Sequence, residues 1–97
     1  MINNVKRNRF TYKNLERMVR GFSNHRRIQI MELLAKEPDL SLLGISHKLH
    51  INFKTACEHC RRLDLTGLVL KRNVDKEVRH CLTDRAINVL TFLRTLE

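Results

Sequence analysis

Short segments with helical spacing of apolar residues alternate along this chain with polar segments that contain capping residues. From Thr11 to Phe22, apolar residues recur every three or four positions, and Gly21 and Ser23 mark the end of the pattern. Ser23 or Asn24 can cap a second segment, which stops before Pro38 and has one apolar face: Ile28, Met31, Leu34 and Ala35. These patterns predict two amphipathic helices in the N-terminal part of the chain.

Residues 40–69 contain two further short amphipathic patterns, separated by His50-Ile51-Asn52. Ser41 can cap a third helix, which would bury Leu42, Ile45 and Leu49. Asn52 can cap a fourth, and Gly67 can end it in a left-handed conformation. A rotation of about 100° per residue turns Ala56, Cys60 and Leu63 inward and turns Lys54, Glu58, Arg61 and Leu65 outward. The pattern predicts a helix-turn-helix at about residues 41–66.

A basic β-hairpin is predicted directly after the helix-turn-helix. Leu68 to Arg72 and Glu77 to Leu82 have the composition of strands, and Asn73 to Lys76 would form the turn. Basic residues would then cluster near the hairpin tip: Lys71, Arg72, Lys76 and Arg79.

The last helix, capped by Thr83 or Asp84, is apolar on more than one side. The apolar residues are Ala86, Ile87, Val89, Leu90, Phe92, Leu93 and Leu96. A helix of this kind packs against two partners, and in a chain of 97 residues the second partner would be another subunit.

The predicted fold class is mainly α with a small β-hairpin (α+β), a winged helix-turn-helix. We expect one domain over residues 11–97, preceded by a basic flexible arm at 1–10. Within the domain, the wing would span about residues 68–82 and a C-terminal dimerisation helix about 84–96.

Charge is distributed unevenly along the chain. The formal net charge is +9, and residues 1–27 carry +7, residues 28–66 zero and residues 67–97 +2. A strongly basic chain favours a polyanionic partner, because phosphate neutralisation releases counterions. The predicted helix-turn-helix is itself neutral, so most of the affinity for phosphate would come from the arm and the wing.

Several function classes find no support in the sequence. No apolar run approaches the roughly 18 residues of a membrane span, and residues 1–10 do not resemble a signal peptide, so a cytoplasmic protein without a membrane partner is expected. No catalytic motif stands out, so we expect no enzyme and no cofactor.

Cysteine and histidine residues offer a second kind of chemistry, which the spacing disfavours. The three cysteines, an odd number, are Cys57, Cys60 and Cys81, and reduced thiols are expected. They are weak candidates for a metal site, because Cys57 and Cys60 lie about 100° apart around one helix and zinc needs four ligands. Packing in the core is favoured for Cys60, and a packed, hydrogen-bonded role for His59.

The order of these segments resembles winged-helix transcriptional regulators of the ArsR type, with the MarR type next closest. The resemblance extends from about His25 to Thr83 and is carried by HRRIQIMELLAKE, LSLLGISHKLHIN, TACEHCRRLDLTGLV and RHCLT. The segment LSLLGIS lacks the metal-binding cysteine motif of that family, and His50 stands where the family usually has glycine. The resemblance implies a homodimer held by the first and last helices, with fourth helices in successive major grooves of double-stranded DNA and wings on the flanking backbone.

These expectations assign residues to three surfaces. Base contacts would come from Asn52, Phe53, Lys54, Glu58 and Arg61. Backbone contacts would come from Arg62, Lys71, Arg72, Lys76 and Arg79 and from Lys6, Arg7 and Arg9 of the arm. The dimer interface would include Tyr12, Leu15, Val19, Val89, Leu90, Phe92, Leu93 and Leu96.

The hypothesis is a sequence-specific transcriptional regulator, with repression as the expected mode and no inducer identified. Two alternatives remain: a winged helix that binds a protein partner, and a sequence-independent architectural nucleic-acid-binding protein.

Overall fold

The computed structural model describes residues 10–97, which form five helices and one antiparallel hairpin. In chain order the elements are α1 (Tyr12–Phe22), α2 (His25–Lys36), α3 (Leu42–Leu49), α4 (Phe53–Leu65), β1 (Val69–Val74), β2 (Glu77–Leu82) and α5 (Asp84–Arg94). The predicted winged helix-turn-helix is confirmed. None of the helices in residues 10–97 combines the length and apolar character that a bilayer-spanning helix needs.

A side-chain cap fixes the start of each helix. In every case an oxygen of the capping residue accepts a hydrogen bond from a backbone N–H in the first turn, which satisfies a donor that the helix itself leaves unpaired. The caps are Thr11, Asn24, Ser41, Asn52 and Thr83. Sequence alone therefore placed the helix starts correctly to within one residue.

The core lies where α2 and α4 meet the base of the hairpin and the inner face of α5. Its fully buried side chains include Ile30, Met31, Ile45, Leu63 and Leu68. Ala35 was expected on the inward face of α2, and this was wrong because the residue is exposed. The centre of the buried face passes between Ile30, Met31 and Leu34, and Ala35 lies roughly a quarter-turn away from that centre.

The hairpin turn is shorter than predicted. Val74 pairs with Glu77, so only Asp75 and Lys76 form the turn, and Asn73 belongs to the strand opposite Val78. Both turn residues have positive φ, 51° and 68°, as a two-residue hairpin of type I′ requires. The expected turn from Asn73 to Lys76 was therefore wrong, because the chain reverses without the Asn-Gly pair that usually signals so tight a turn.

A single backbone bridge attaches the hairpin to the loop between α2 and α3. The His80 N–H donates to Leu40 O at 2.8 Å, and the Asp39 N–H donates to His80 O at 3.0 Å. Asp39 takes the left-handed conformation, with φ of 66°, to reach this position. β2 is thus hydrogen-bonded to β1 along one edge and to the loop that precedes α3 along the other.

Gly21, in the last turn of α1, lies directly against Thr66 at the end of α4. A Cβ atom at Gly21 would lie 2.6 Å from Thr66 Cγ2 and 2.8 Å from Thr66 Cβ, closer than such atoms can approach. Thr66 cannot easily rotate away, because its hydroxyl donates to Arg62 O at 3.0 Å. The absence of a side chain at Gly21 therefore allows α1 to pack on α4.

Replacing Gly21 with Ala should lower the free energy of unfolding by about 1–3 kcal/mol, the usual effect of overpacking, despite the better helix propensity of Ala. Gly44→Ala is the matched control, since its Cβ would meet flexible Leu40 Cδ2 at 3.3 Å and should leave stability equal or higher. Urea unfolding of both variants measures the difference. A Gly21→Ala variant as stable as the wild type would contradict the close approach.

Candidate nucleic-acid interface

The turn between α3 and α4 sets the direction of α4. His50 ends α3 in the left-handed conformation, with φ of 55° and ψ of 45°, so a histidine does here what glycine does more readily. The buried Ser46 hydroxyl donates to Ile51 O at 2.7 Å and holds the far side of the turn. Asn52 then accepts from the backbone N–H groups of Lys54 and Thr55, which begins α4.

The inner face of α4 is completely buried, and its outer face is open to solvent. Ala56, Cys60 and Leu63 are at most 1% exposed, as predicted from the sequence. The residues expected to point outward are all exposed: Lys54, Glu58, Arg61 and Leu65. Asn52 is exposed beside its capping role, and Phe53 is 48% exposed. The five residues proposed for base contact are therefore all exposed, from the cap of α4 to its third turn, and Lys54, Glu58 and Arg61 share one side of the helix.

Glu58 binds two arginines of the same helix. Its Oε1 accepts from Arg61 Nε at 3.3 Å, and its Oε2 accepts from Arg61 Nη2 at 2.8 Å and from Arg62 Nε at 3.2 Å. These hydrogen bonds, led by the one from Arg61, hold the pKa of Glu58 below its usual range, and they raise the pKa of Arg61. Glu58 therefore neutralises part of the positive charge of Arg61 and Arg62, and both of its carboxylate oxygens already accept hydrogen bonds.

The wing arginines and lysine do not cluster at the hairpin tip. Lys71 lies opposite His80 and Arg72 lies opposite Arg79, two or more residue pairs from the turn, and of the four basic residues only Lys76 is at the tip. Neighbouring residues of a strand point to opposite faces, so Lys71 and Arg72 also diverge. The predicted tip cluster was therefore wrong, because it followed from a longer turn than the chain forms.

Acidic residues of the loop between α2 and α3 and of α4 pair with these basic residues. Arg72 forms a two-pronged contact with Asp39, 3.1 Å and 3.0 Å long, and Lys71 Nζ lies 3.7 Å from Asp64 Oδ2. Arg79 Nη1 donates to Asp39 O at 3.1 Å. Charged contacts thus join the wing to α4 and to the loop between α2 and α3. A phosphate group that bound these basic residues would compete with Asp39 and Asp64 or bind beside them. The sequence analysis did not identify Asp39 and Asp64 as partners of wing residues. Asp39 is 33 positions from Arg72 and Asp64 is 7 positions from Lys71, so the only signal in the sequence was that both residues are acidic.

Arg79 has a further partner within its own strand. Its Nε donates to Glu77 Oε1 at 2.6 Å. Lys76, by contrast, has no ion-pair partner among residues 10–97 and is exposed at the hairpin tip. Of the wing cations, Lys76 is therefore the one most open to an external anion.

Arg27, which sequence reasoning did not single out, joins α1, α2 and α4. Its Nε donates to Gly21 O at 2.8 Å and its Nη2 to Arg20 O at 3.3 Å, which satisfies two carbonyl groups at the end of α1. Its Nη1 lies 3.2 Å from His59 Nδ1. Since guanidinium can only donate, His59 Nδ1 accepts, and its ring is neutral with the proton on Nε2. The expectation that His59 is a packed, hydrogen-bonded residue is confirmed.

The cysteines are placed differently from one another. Cys60 is buried, and burial raises the pKa of its thiol to about 12, so it remains a protonated core residue. Cys57 is half-buried beside it, and Cys81 is half-buried on the wing, where its thiol lies 3.7 Å from Leu70 O. Among residues 10–97 no group of three or more potential ligands is arranged to hold a metal ion. Core packing of Cys60, the favoured expectation, is confirmed.

An apolar surface runs along α1 and α5. A shallow groove between the two helices is lined mainly by apolar side chains, including Met18, Val19, Val89 and Phe92. Ile87 is exposed on the other side of α5, about 140° around the helix from Phe92. The large apolar residues on the groove side are at least 46% exposed: Tyr12 and Val19 on α1, Phe92 on α5 and Leu96 just beyond the end of α5. We call this the α1/α5 face.

The remaining residues expected at a dimer interface divide into two groups. Leu15 and Leu93 are half-buried at the edge of the α1/α5 face. Val89 and Leu90, however, are 9% and 6% exposed and belong mainly to the subunit core. Lys6, Arg7 and Arg9 lie outside the described residues.

Comparison with known proteins identifies the fold. No protein-family model matches the sequence, and no curated protein matches it. Among solved structures, a homodimeric winged helix-turn-helix DNA-binding domain from Mycobacterium bovis, a possible ArsR-family transcriptional regulator, superposes with a TM-score of 0.82 at 21% identity, covering 99% of this chain and 89% of that one.

Two further structures agree with this likeness. An ArsR-like transcriptional regulator from Rhodococcus sp. RHA1 has a TM-score of 0.72 at 25% identity and covers 88% of this chain and 77% of that one. The transcriptional repressor BigR from Xylella fastidiosa has a TM-score of 0.72 at 20% identity, with coverage of 87% and 83%. The chain has the winged helix-turn-helix fold of these ArsR-type proteins.

The contact between Arg27 and His59 predicts a pH dependence of stability. Burial, and then the charge of Arg27, lower the pKa of His59 in the folded chain. The pKa of histidine in an unfolded chain is about 6.5. Below that pH the unfolded state binds more protons than the folded state, so the free energy of unfolding falls as the pH drops towards the pKa of His59 in the folded chain. The contribution of neutral His59 to stability is fully present above the pKa that the histidine has in the unfolded chain.

Replacing His59 with Gln keeps an acceptor for Arg27 and removes the titration. The variant should lose less stability than the wild type between about pH 7.5 and about pH 5.5, measured by urea unfolding at fixed protein concentration. Some dependence should remain, because burial also lowers the pKa of His80. Identical pH profiles for variant and wild type would contradict the neutral role of His59.

Proposed function

We propose that this chain, with its ArsR-type fold, is a homodimeric, sequence-specific DNA-binding transcriptional regulator that acts as a repressor. One observation carries the proposal: α4 buries Ala56, Cys60 and Leu63 and turns a polar, hydrogen-bonding face outward. In helix-turn-helix proteins the second helix enters the major groove with such a face.

Base contact is assigned to the outer face of α4. Lys54 and Arg61 are seven residues apart, so they project within about 20° of each other and can both face the floor of a groove. Phe53, near the start of the helix, can contact a thymine methyl group, and Asn52 can donate from its amide nitrogen. Because Glu58 already accepts from two arginines, we assign donors rather than this carboxylate to direct reading.

Contact with the phosphate backbone is assigned to the edges of the same surface. Arg62 lies about 80° around α4 from Lys54 and would face one DNA strand. Lys76 at the hairpin tip would face the flanking backbone. Lys71, Arg72 and Arg79 lie closer to the body and contact Asp64, Asp39 and Glu77. They would contribute by holding the wing in place as well as by attracting phosphate. The arm cations Lys6, Arg7 and Arg9 keep their proposed backbone role.

The α1/α5 face supports the dimer. Burying a side chain such as that of Phe92 contributes roughly 1.5–3 kcal/mol. Four large apolar residues on one side of α1 and α5 form more than scattered surface exposure: Tyr12, Val19, Phe92 and Leu96. The helices are also those that hold ArsR-type dimers, as the family resemblance implies. Val89 and Leu90 would pack under the interface residues and contact the partner little, because almost all of their surface is already buried within the subunit.

The alternative of a protein-interaction module rests on an acidic and an apolar residue on the outer face of α4: Glu58 is exposed, and Leu65 is 69% exposed. A net charge of +9 favours DNA over most protein partners. The architectural alternative rests on the neutrality of residues 28–66, which leaves sequence-independent phosphate contact as the main source of affinity. We further propose that the chain is not an enzyme.

Binding to DNA at several salt concentrations tests the proposed function. Fluorescence anisotropy between about 50 and 200 mM salt should show a steep fall in affinity for all DNA, because the basic residues release counterions. A site selected from random DNA, or found upstream of the gene itself, should bind at least about a thousandfold more tightly than random sequence. Equal affinity for both would select the architectural role, and no binding at low salt would select a protein partner.

A substitution on the α1/α5 face tests the dimer. Phe92, 56% exposed on α5, is replaced with Glu, which would place a charge in an apolar interface. Leu43→Glu is the control, because Leu43 is 54% exposed on α3 and this substitution introduces the same charge outside the α1/α5 face. Sedimentation should give a dimer for the wild type and Leu43→Glu and a monomer for Phe92→Glu. A Phe92→Glu dimer of unchanged strength would contradict the assigned interface.

A further inference from the structure

We propose that Glu58 is a positioning residue that holds Arg61 for reading a guanine in the major groove. The inference rests on the proposed function, since it names how the outer face of α4 would discriminate one base pair. It also explains why an acidic residue stands in the middle of a surface that should approach polyanionic DNA.

The contact between the two side chains leaves one edge of the guanidinium available. Glu58 accepts from Nε and Nη2 of Arg61 at 3.3 and 2.8 Å, one hydrogen bond to each carboxylate oxygen. Arg61 Nη1 has no hydrogen-bond partner among residues 10–97. The opposite edge of the fork, formed by Nη1 and the outer hydrogen of Nη2, therefore faces away from the carboxylate. Two parallel N–H donors at that spacing match O6 and N7 of guanine.

Helix geometry makes this arrangement a property of the backbone. Side chains of a helix lean towards its N-terminus, so Arg61 leans over the turn that contains Glu58, three residues earlier. An arginine held at its Nε edge loses less rotamer freedom when it binds, because part of that freedom is already gone. Holding Arg61 in advance should improve discrimination between bases more than it improves total affinity.

The bonds of Glu58 also disfavour its own direct reading of DNA. A carboxylate has about four acceptor positions, and Glu58 uses three of them for Arg61 and Arg62. Only one acceptor position is left for a donor such as cytosine N4. The third hydrogen bond, from Arg62 Nε at 3.2 Å, fixes the second arginine at the edge of the helix, where the backbone contact is assigned.

The test compares discrimination at single base pairs for variants of the 97-residue chain. A preferred site is first selected from random DNA with the wild type. Each base pair is then changed singly, and the affinity ratio between preferred and changed sites is measured for the wild type, Arg61→Ala, Glu58→Ala and Glu58→Gln at constant salt. Glu16→Ala is the matched control, because it removes an exposed acidic residue that pairs with Arg20 at 3.5 Å on α1. Thermal melts confirm that each variant is folded.

We expect Arg61→Ala to lose roughly tenfold or more of the discrimination at one G·C pair in each half-site. Glu58→Ala should lose discrimination at the same pair while its affinity for random DNA stays equal or rises, because a negative charge is removed. Glu58→Gln should fall between the wild type and Glu58→Ala, and Glu16→Ala should discriminate like the wild type. A general structural role of Glu58 would instead reduce discrimination at all pairs alike.

Two results would overturn the inference while leaving the proposed function standing. One is a wild-type discrimination pattern in Glu58→Ala, and the other is a loss at a pair different from the one that Arg61→Ala affects. A wild type without any sequence preference would overturn the inference and the sequence-specific function together.

Discussion

The burial of one face of α4 is the constraint on which the rest of the structure depends. Ala56, Cys60 and Leu63 are packed in the core, and a helix fixed on one side must present its other side to solvent. The small side chains at positions 56 and 60 let the helix lie close to its neighbours. Gly21 permits the same closeness at the far end, where α1 crosses Thr66.

Polar contacts hold this arrangement at its edges. Arg27 closes the end of α1 and fixes His59 on the side of α4, and Asp64 near the end of α4 contacts Lys71 on the wing. These contacts join α4 to α2 on one side and to the wing on the other. The recognition surface therefore rests on a frame that extends from α1 to the hairpin.

The acidic residues that bring residues 28–66 to zero net charge take part in ion pairs. Glu58, Asp39 and Asp64 each pair with a basic residue of the helix-turn-helix or the wing. Such pairs are exposed and individually contribute little to stability. On a surface that meets phosphate, their effect is to limit indiscriminate attraction and to hold long basic side chains in defined directions. That is the behaviour expected of a surface which depends on geometry more than on total charge.

Local signals predicted most of the fold. Capping residues such as Ser41 and Asn52 act within three residues, and the 3.6-residue period identified the buried face of α4, so both could be read from the sequence. The conformation of His50 and the positive φ of Gly67 followed from their positions at helix ends.

Contacts between residues distant in sequence could not be predicted. Arg72 and Asp39 are 33 positions apart, and Arg27 and His59 are 32 apart, so no local pattern links them. The hairpin turn was misjudged because Asp75 and Lys76 adopt positive φ without glycine. On α5, the apolar pattern covers more than one face, and only the fold distinguishes Leu90 in the core from Phe92 at the surface.

Methylation interference on a selected DNA site tests most directly whether paired α4 helices read the major groove. A methyl group on guanine N7 projects into that groove and would obstruct α4. We predict two groups of guanines whose methylation prevents binding, centred one helical turn apart, about 10–10.5 base pairs, or a multiple of it. Binding that is indifferent to N7 methylation at every position would contradict it.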